Sequence, residues 1–149
     1  TSATLVNKEV LEQLSGFSEN PSFITAEDYE LWMRISIATS NFVFIHEILG
    51  EFLRHDKSAS SSVDRHLAAE IAVINHHVEQ MRPSFLVFIK ARHRRAKAFY
   101  SAGRTHMRGG STGSALSFFA KALLQSPIFF RTYVAITLTL INLLRRKSQ

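Results

Sequence analysis

Phe42-Val43-Phe44-Ile45-His46-Glu47-Ile48-Leu49-Gly50-Glu51-Phe52-Leu53-Arg54 is the stretch on which the fold class turns. β-Branched and aromatic residues dominate both sides of Gly50, and such residues fit a pleated, half-buried surface, so the stretch reads as strand, kink, strand. Ser2-Ala3-Thr4-Leu5-Val6 reads as an earlier strand. Between them, Asn7 is placed to cap a short helix through Leu14, with Val10, Leu11 and Leu14 on one face and Gly16 just past its end. Ser18 to Ser22, with Asn20-Pro21, reads as loop. A second helix is expected from Thr25, because Thr25 and Asp28 have the spacing of a capping box and Leu31, Ile35 and Ala38 recur at helical intervals. It should end near Ser40-Asn41, and Ser58 to Ser62 is loop. Residues 1–62 are therefore predicted to be α/β.

From Val63 onward the pattern is helical. Val63, Leu67, Ile71, Ile74, Val78 and Met81 step by three or four, the stripe of an amphipathic helix that ends before Pro83. Further helices are expected over Ser84 to Met107, before Gly109-Gly110, and over Thr112 to Gln125, before Ser126-Pro127. The last, Ile128 to Leu144, is apolar apart from Arg131 and some threonines, and Arg145-Arg146-Lys147 follows it. Residues 63–149 thus form an all-α C-terminal region.

Charge divides at the same place. Thr1 to Asp64 holds four Lys/Arg against ten Asp/Glu, whereas Arg65 to Gln149 holds fourteen against two. Opposite charge on two regions points to different partners or surroundings for each. With 46% apolar and 20% charged residues the chain has the composition of a folding protein, which excludes a disordered charged tail. The absence of cysteine removes disulfides, thiolate zinc sites and cysteine nucleophiles, and leaves the compartment open. Thr1 is not an initiator methionine, and the expectation is that these 149 residues are a piece of a longer protein.

Two blocks carry the chemistry: Gly16-Phe17-Ser18-Glu19, and Glu27-Asp28-Tyr29-Glu30-Leu31-Trp32-Met33-Arg34. Glu27 and Asp28 fall in the first turn of a helix, where free backbone N–H groups and the positive end of the dipole favour carboxylates. Plain capping, with Trp32 as core, explains them; so does a carboxylate at the mouth of a cleft, acting as general base toward a hydroxyl. Periodicity does not separate the two.

Together with Leu49-Gly50-Glu51-Phe52-Leu53-Arg54-His55 and the serines Ser58 to Ser62, these blocks resemble, in order and spacing, the acceptor half of a family 2 glycosyltransferase of the GT-A fold. The resemblance covers roughly residues 1–62. It implies that a parent enzyme transfers a sugar from a nucleotide-sugar donor to an acceptor hydroxyl with inversion. Asp28 matches the catalytic base, Glu27 and Trp32 would line or support the acceptor site, and Arg54 and His55 would approach the donor diphosphate. In the family pattern the last two are separated by one residue; here they are adjacent, and Ser18 stands where the family has aspartate. The family's nucleotide-binding half, with the Asp-x-Asp that holds a divalent metal (Mg or Mn), has no counterpart, so the main metal ligands are absent and the isolated chain is expected to be inactive.

Ala96 to Pro127 resembles one tetratricopeptide-like helical hairpin, a tail often found after such domains, for which a simple helical cap is the plainer reading. Lys90, Arg92, Arg94, Arg95, Lys97, Arg104 and Arg108 make a dense basic segment. Nucleic-acid signatures and interleaved stacking aromatics are missing, so an anionic membrane surface suits it better. About 13 uncharged residues between Arg131 and Arg145 are fewer than the roughly 20 of a spanning helix, which leaves burial or an interfacial position for the last helix. Family and charge together imply a cytoplasmic protein, peripheral on the inner face of the membrane. The rival class is a non-catalytic basic helical module that binds a membrane or nucleic acid, with residues 1–62 as scaffold. His66, Glu70, His76 and His77 complete no metal motif and are expected on the helix surface.

Overall fold

The computed structural model describes residues 4–50 and 62–147, and helix is the only regular structure among them. The elements are α1 (Lys8–Gln13), a 3-10 turn (Pro21–Phe23), α2 (Glu27–Ala38), α3 (Val63–Gln80), α4 (Phe85–Arg108), α5 (Thr112–Gln125) and α6 (Phe130–Lys147).

The expected α/β region is therefore corrected: no strand is present among the described residues. Residues 42–50 run without regular structure, and Val43 and Ile48 are 91% and 95% exposed. The composition is that of a strand, but a strand is held by a ladder of hydrogen bonds and by side chains across it. Among the described residues nothing pairs with this stretch. Thr4 to Val6 are likewise irregular, with Leu5 exposed. Ser2, Ala3 and most of the second expected strand, Glu51 to Arg54, lie outside the described residues.

The helices fall close to their expected places. Asn7 caps α1 by accepting from the Glu9 N–H at 2.7 Å. The chain leaves α1 through two left-handed residues, Ser15 (φ 59°) and Gly16 (φ 67°), with the Gly16 N–H returning to the Leu11 carbonyl. Asn20 organises the 3-10 turn through the Ser22 N–H and hydroxyl. The capping box at Thr25 does not form: Thr25 has φ 83°, Ala26 occupies the cap position without a side-chain bond, and the Thr25 hydroxyl is buried without a partner.

α3 has two working faces. Ala69 and Val73 pack on Phe23 and Ala26, whereas Leu67 packs on Ala98 and Ala102 of α4. α4 and α5 form an antiparallel hairpin, since Arg92 reaches the end of α5 while Gly103 lies against Phe119 and Ala115. Alanines make up much of this interior, which lets the helix axes approach closely.

α6 is built the other way round from an ordinary surface helix. Its inner face against α5 is Thr132, Ala135 and Thr139, all buried, whereas Phe130, Val134, Leu138, Leu140 and Ile141 face outward. The Thr139 hydroxyl donates to the Ala135 carbonyl at 2.7 Å, so that threonine is satisfied within its own helix. No helix among the described residues is long and apolar enough to cross a membrane.

Candidate functional site

The site is assembled around α2. Its first turn carries Glu27, exposed, and Asp28, half-buried, where the helix's unpaired N–H groups converge. The Asp28 carboxylate accepts from the Tyr29 N–H at 2.7 Å. One turn further on, Glu30 points inward and is 2% exposed.

Arg34 is the organising residue. Its Nε donates to both Glu30 oxygens at 2.8 and 3.0 Å, and its two terminal nitrogens donate to the carbonyls of Leu14 (2.6 Å) and Gly16 (2.8 Å). The planar guanidinium fork suits such a set of convergent acceptors. It ties the turn after α1, where Gly16-Phe17-Ser18-Glu19 begins, to the body of α2. α1 buries no residue of its own, so this tie carries much of its attachment. Trp32 is half-buried on α2.

His77 of α3 completes the buried cluster. It is 2% exposed, with Nε2 at 3.4 Å from a Glu30 oxygen, close enough to feel the carboxylate but outside the geometry of a hydrogen bond. Burial pushes the His77 pKa below its usual 6.5, and the neighbouring His76 and Arg34 push the same way, against the attraction of Glu30. The expectation of a surface position is corrected for His77, and His66 is also half-buried, its Nδ1 2.8 Å from the Thr25 carbonyl. Both lie on the α3 face that meets α2 and the 3-10 turn, a face outside the apolar stripe.

A pH dependence follows. The unfolded chain takes a proton on His77 near pH 6.5, the folded one only at lower pH, so between those values the unfolded state binds more protons. Stability contributed by neutral His77 is full above that window and falls as pH drops through it. The urea midpoint should therefore decline from about pH 7.5 to about pH 5.5 more steeply in the wild type than in His77→Leu. Equal slopes would contradict a buried neutral imidazole.

A second polar cluster joins the two halves. Arg94 of α4 donates to the Tyr29 hydroxyl at 2.8 Å, lies over that ring at 4.7 Å, and pairs with Glu70 of α3 at 3.1 Å. Arg95 donates to Asn75, and Arg92 donates to the carbonyls of Gln125 and Leu124 at the end of α5. Arg104 reaches the Tyr100 hydroxyl at 3.3 Å. Much of the basic segment thus binds its own fold, while Lys90, Lys97 and Arg108 remain exposed.

Arg54 and His55, expected at the donor diphosphate, and Ser58 to Ser61 lie outside the described residues. Among the described residues no group of three or more His, Asp or Glu side chains is arranged to hold a metal. The site residues that sequence reasoning missed are Glu30, Arg34 and His77; the four-residue spacing of Glu30 and Arg34 on a helix was the available signal. Comparison of the chain with protein-family models, with curated proteins and with solved structures found no match.

Proposed function

We propose that these residues supply the acceptor side of an inverting sugar transferase of the family 2 type. The parent protein passes a sugar from a nucleotide donor to a hydroxyl, and Asp28 takes the hydroxyl proton. The reading is carried by residues and not by fold. Its main support is the Arg34 fork, which sets the Gly16-Phe17-Ser18-Glu19 turn beside the helix that bears Glu27 and Asp28. Arg34 holds the two motif blocks side by side, which supports reading them together.

Within that reading Glu27, exposed beside the base, contacts the acceptor, and half-buried Trp32 supports the helix below it. Arg54 and His55 serve the donor diphosphate, and a divalent metal, Mg or Mn, is held by the Asp-x-Asp of the parent's donor half.

The test is Asp28→Asn in the parent protein. Asparagine still offers an amide oxygen to the Tyr29 N–H, so helix content by circular dichroism should not change. Transfer should fall at least about a hundredfold, because the amide cannot accept the proton. Wild-type turnover by the variant would remove the proposal; measurable transfer by the isolated 149-residue chain would overturn only the expectation that the chain is inactive alone.

A further inference from the structure

We propose that the outward face of α6, together with the first turns of α4 beside it, docks onto an anionic lipid bilayer. This is independent of the sugar-transfer reading. Three observations carry it.

The first is the inversion of α6. A helix that packs by Thr132, Ala135 and Thr139 and turns Val134, Leu138 and Ile141 outward is sided for an apolar medium beyond the protein. The second is that this surface continues at one end of the bundle. Arg92 and His93 bond to Leu124, Gln125 and Ser126, which fixes the start of α4 next to the end of α5 and the start of α6. Phe85, Leu86 and Phe88 stand exposed at the start of α4, Ile128 and Phe130 at the start of α6, and the rings of His93 and Phe129 meet between the two elements at 5.4 Å. Large apolar side chains exposed together on two packed elements mark a binding face.

The third is charge. From Gln80 to Gln149 the chain has thirteen Lys/Arg and no Asp or Glu. Exposed Arg131 and Arg145 bracket the apolar face of α6, and Lys90 stands on the first turns of α4. A second copy of this face would bring cations against cations, with no carboxylate in the segment to pair them. Nucleic acid would leave the apolar side chains without a partner. Anionic headgroups meet the arginines while the acyl boundary takes the leucine and isoleucine side chains. The fourteen steps from Arg131 to Arg145 span roughly 21 Å, less than the hydrocarbon thickness of about 30 Å, so the helix lies along the surface.

The experiment is flotation of the 149-residue chain with vesicles of phosphatidylcholine, with or without phosphatidylglycerol, alongside sedimentation without vesicles. Binding is expected on the phosphatidylglycerol vesicles at low salt. It should weaken at least about tenfold on phosphatidylcholine alone, at high salt, or in Val134→Asp/Leu138→Asp. Both positions are about half exposed, so the variant should keep its helix content. Undiminished binding by the variant, or no binding by the wild type, would overturn the proposal. A dimer that the variant dissolves, without vesicle binding, would overturn it in favour of a second copy.

Discussion

Arg34→Ala should cost about 3–5 kcal/mol of stability, the usual loss when one member of a buried, hydrogen-bonded ion pair is removed. Against a typical total of about 5–15 kcal/mol this leaves a marginal fold. Glu30 has a 3% exposed side chain, so its charge cannot turn to water once the guanidinium has gone. The Leu14 and Gly16 carbonyls lose their donors in the same step. Arg34→Lys should recover only part of the loss, because one ammonium cannot serve two carboxylate oxygens and two carbonyls in a plane. Glu30→Gln combined with Arg34→Ala should cost less than the two single changes added together. The penalty should also shrink from about pH 7.5 to about pH 5.5: without Arg34, His77 loses a charge that opposes its protonation, and an imidazolium can neutralise Glu30. Urea titrations of the variants at both pH values check all four expectations; additive losses would mean that Arg34 and Glu30 are not one unit.

The helices were legible because their boundaries are local chemistry. Asn7, Ser84 and Gly109-Gly110 act within one turn of where they stand, and the structure uses Asn7 and Ser84 as caps. The strands were misread for the opposite reason. Phe42 to Ile48 have strand composition, but composition states only what a strand would be made of, and the partner that makes a strand is non-local. His77 was misplaced because the apolar stripe of α3 reports the face toward α4 alone. The face toward α2 is made of Ala69, Val73, His66 and His77, too mixed to show as a period.

The charge boundary near residue 60 has a similar history. Sequence alone makes the acidic and basic parts look like separate bodies, yet Arg94, paired with Glu70, binds Tyr29 across the boundary. On a helix Arg92, Arg94 and Arg95 point about 200° and 300° apart from the first, so neighbours in sequence reach three different places. A run of basic residues shows where positive charge is concentrated, and says nothing of which direction each side chain takes. Of the candidate site, the Glu27-Asp28 pair was legible as helix-start carboxylates, whereas the Arg34 fork needed the position of a turn about twenty residues earlier.

Phe119→Ala should be the other large loss, again about 3–5 kcal/mol, because the ring is fully buried where α4, α5 and α6 meet, against Ala115 and Ala135 with Tyr100 beside it. Its neighbour Gly103 makes the expectation sharper. A Cβ built on Gly103 would stand 2.6 and 2.7 Å from two atoms of the Phe119 ring and 3.2 Å from the Ala115 carbonyl. Gly103→Ala alone should therefore destabilise by about 1–3 kcal/mol as an overpacked contact, even though alanine is favoured over glycine within a helix by about 1 kcal/mol. In the Phe119→Ala background the clash with the ring is gone and the helix preference remains, so Gly103→Ala should turn from destabilising to stabilising. Thermal or urea unfolding of the four proteins measures the reversal directly. If Gly103→Ala has the same sign with and without the ring, the spacing of α4 and α5 is set by something other than the fit of Phe119 over a bare backbone.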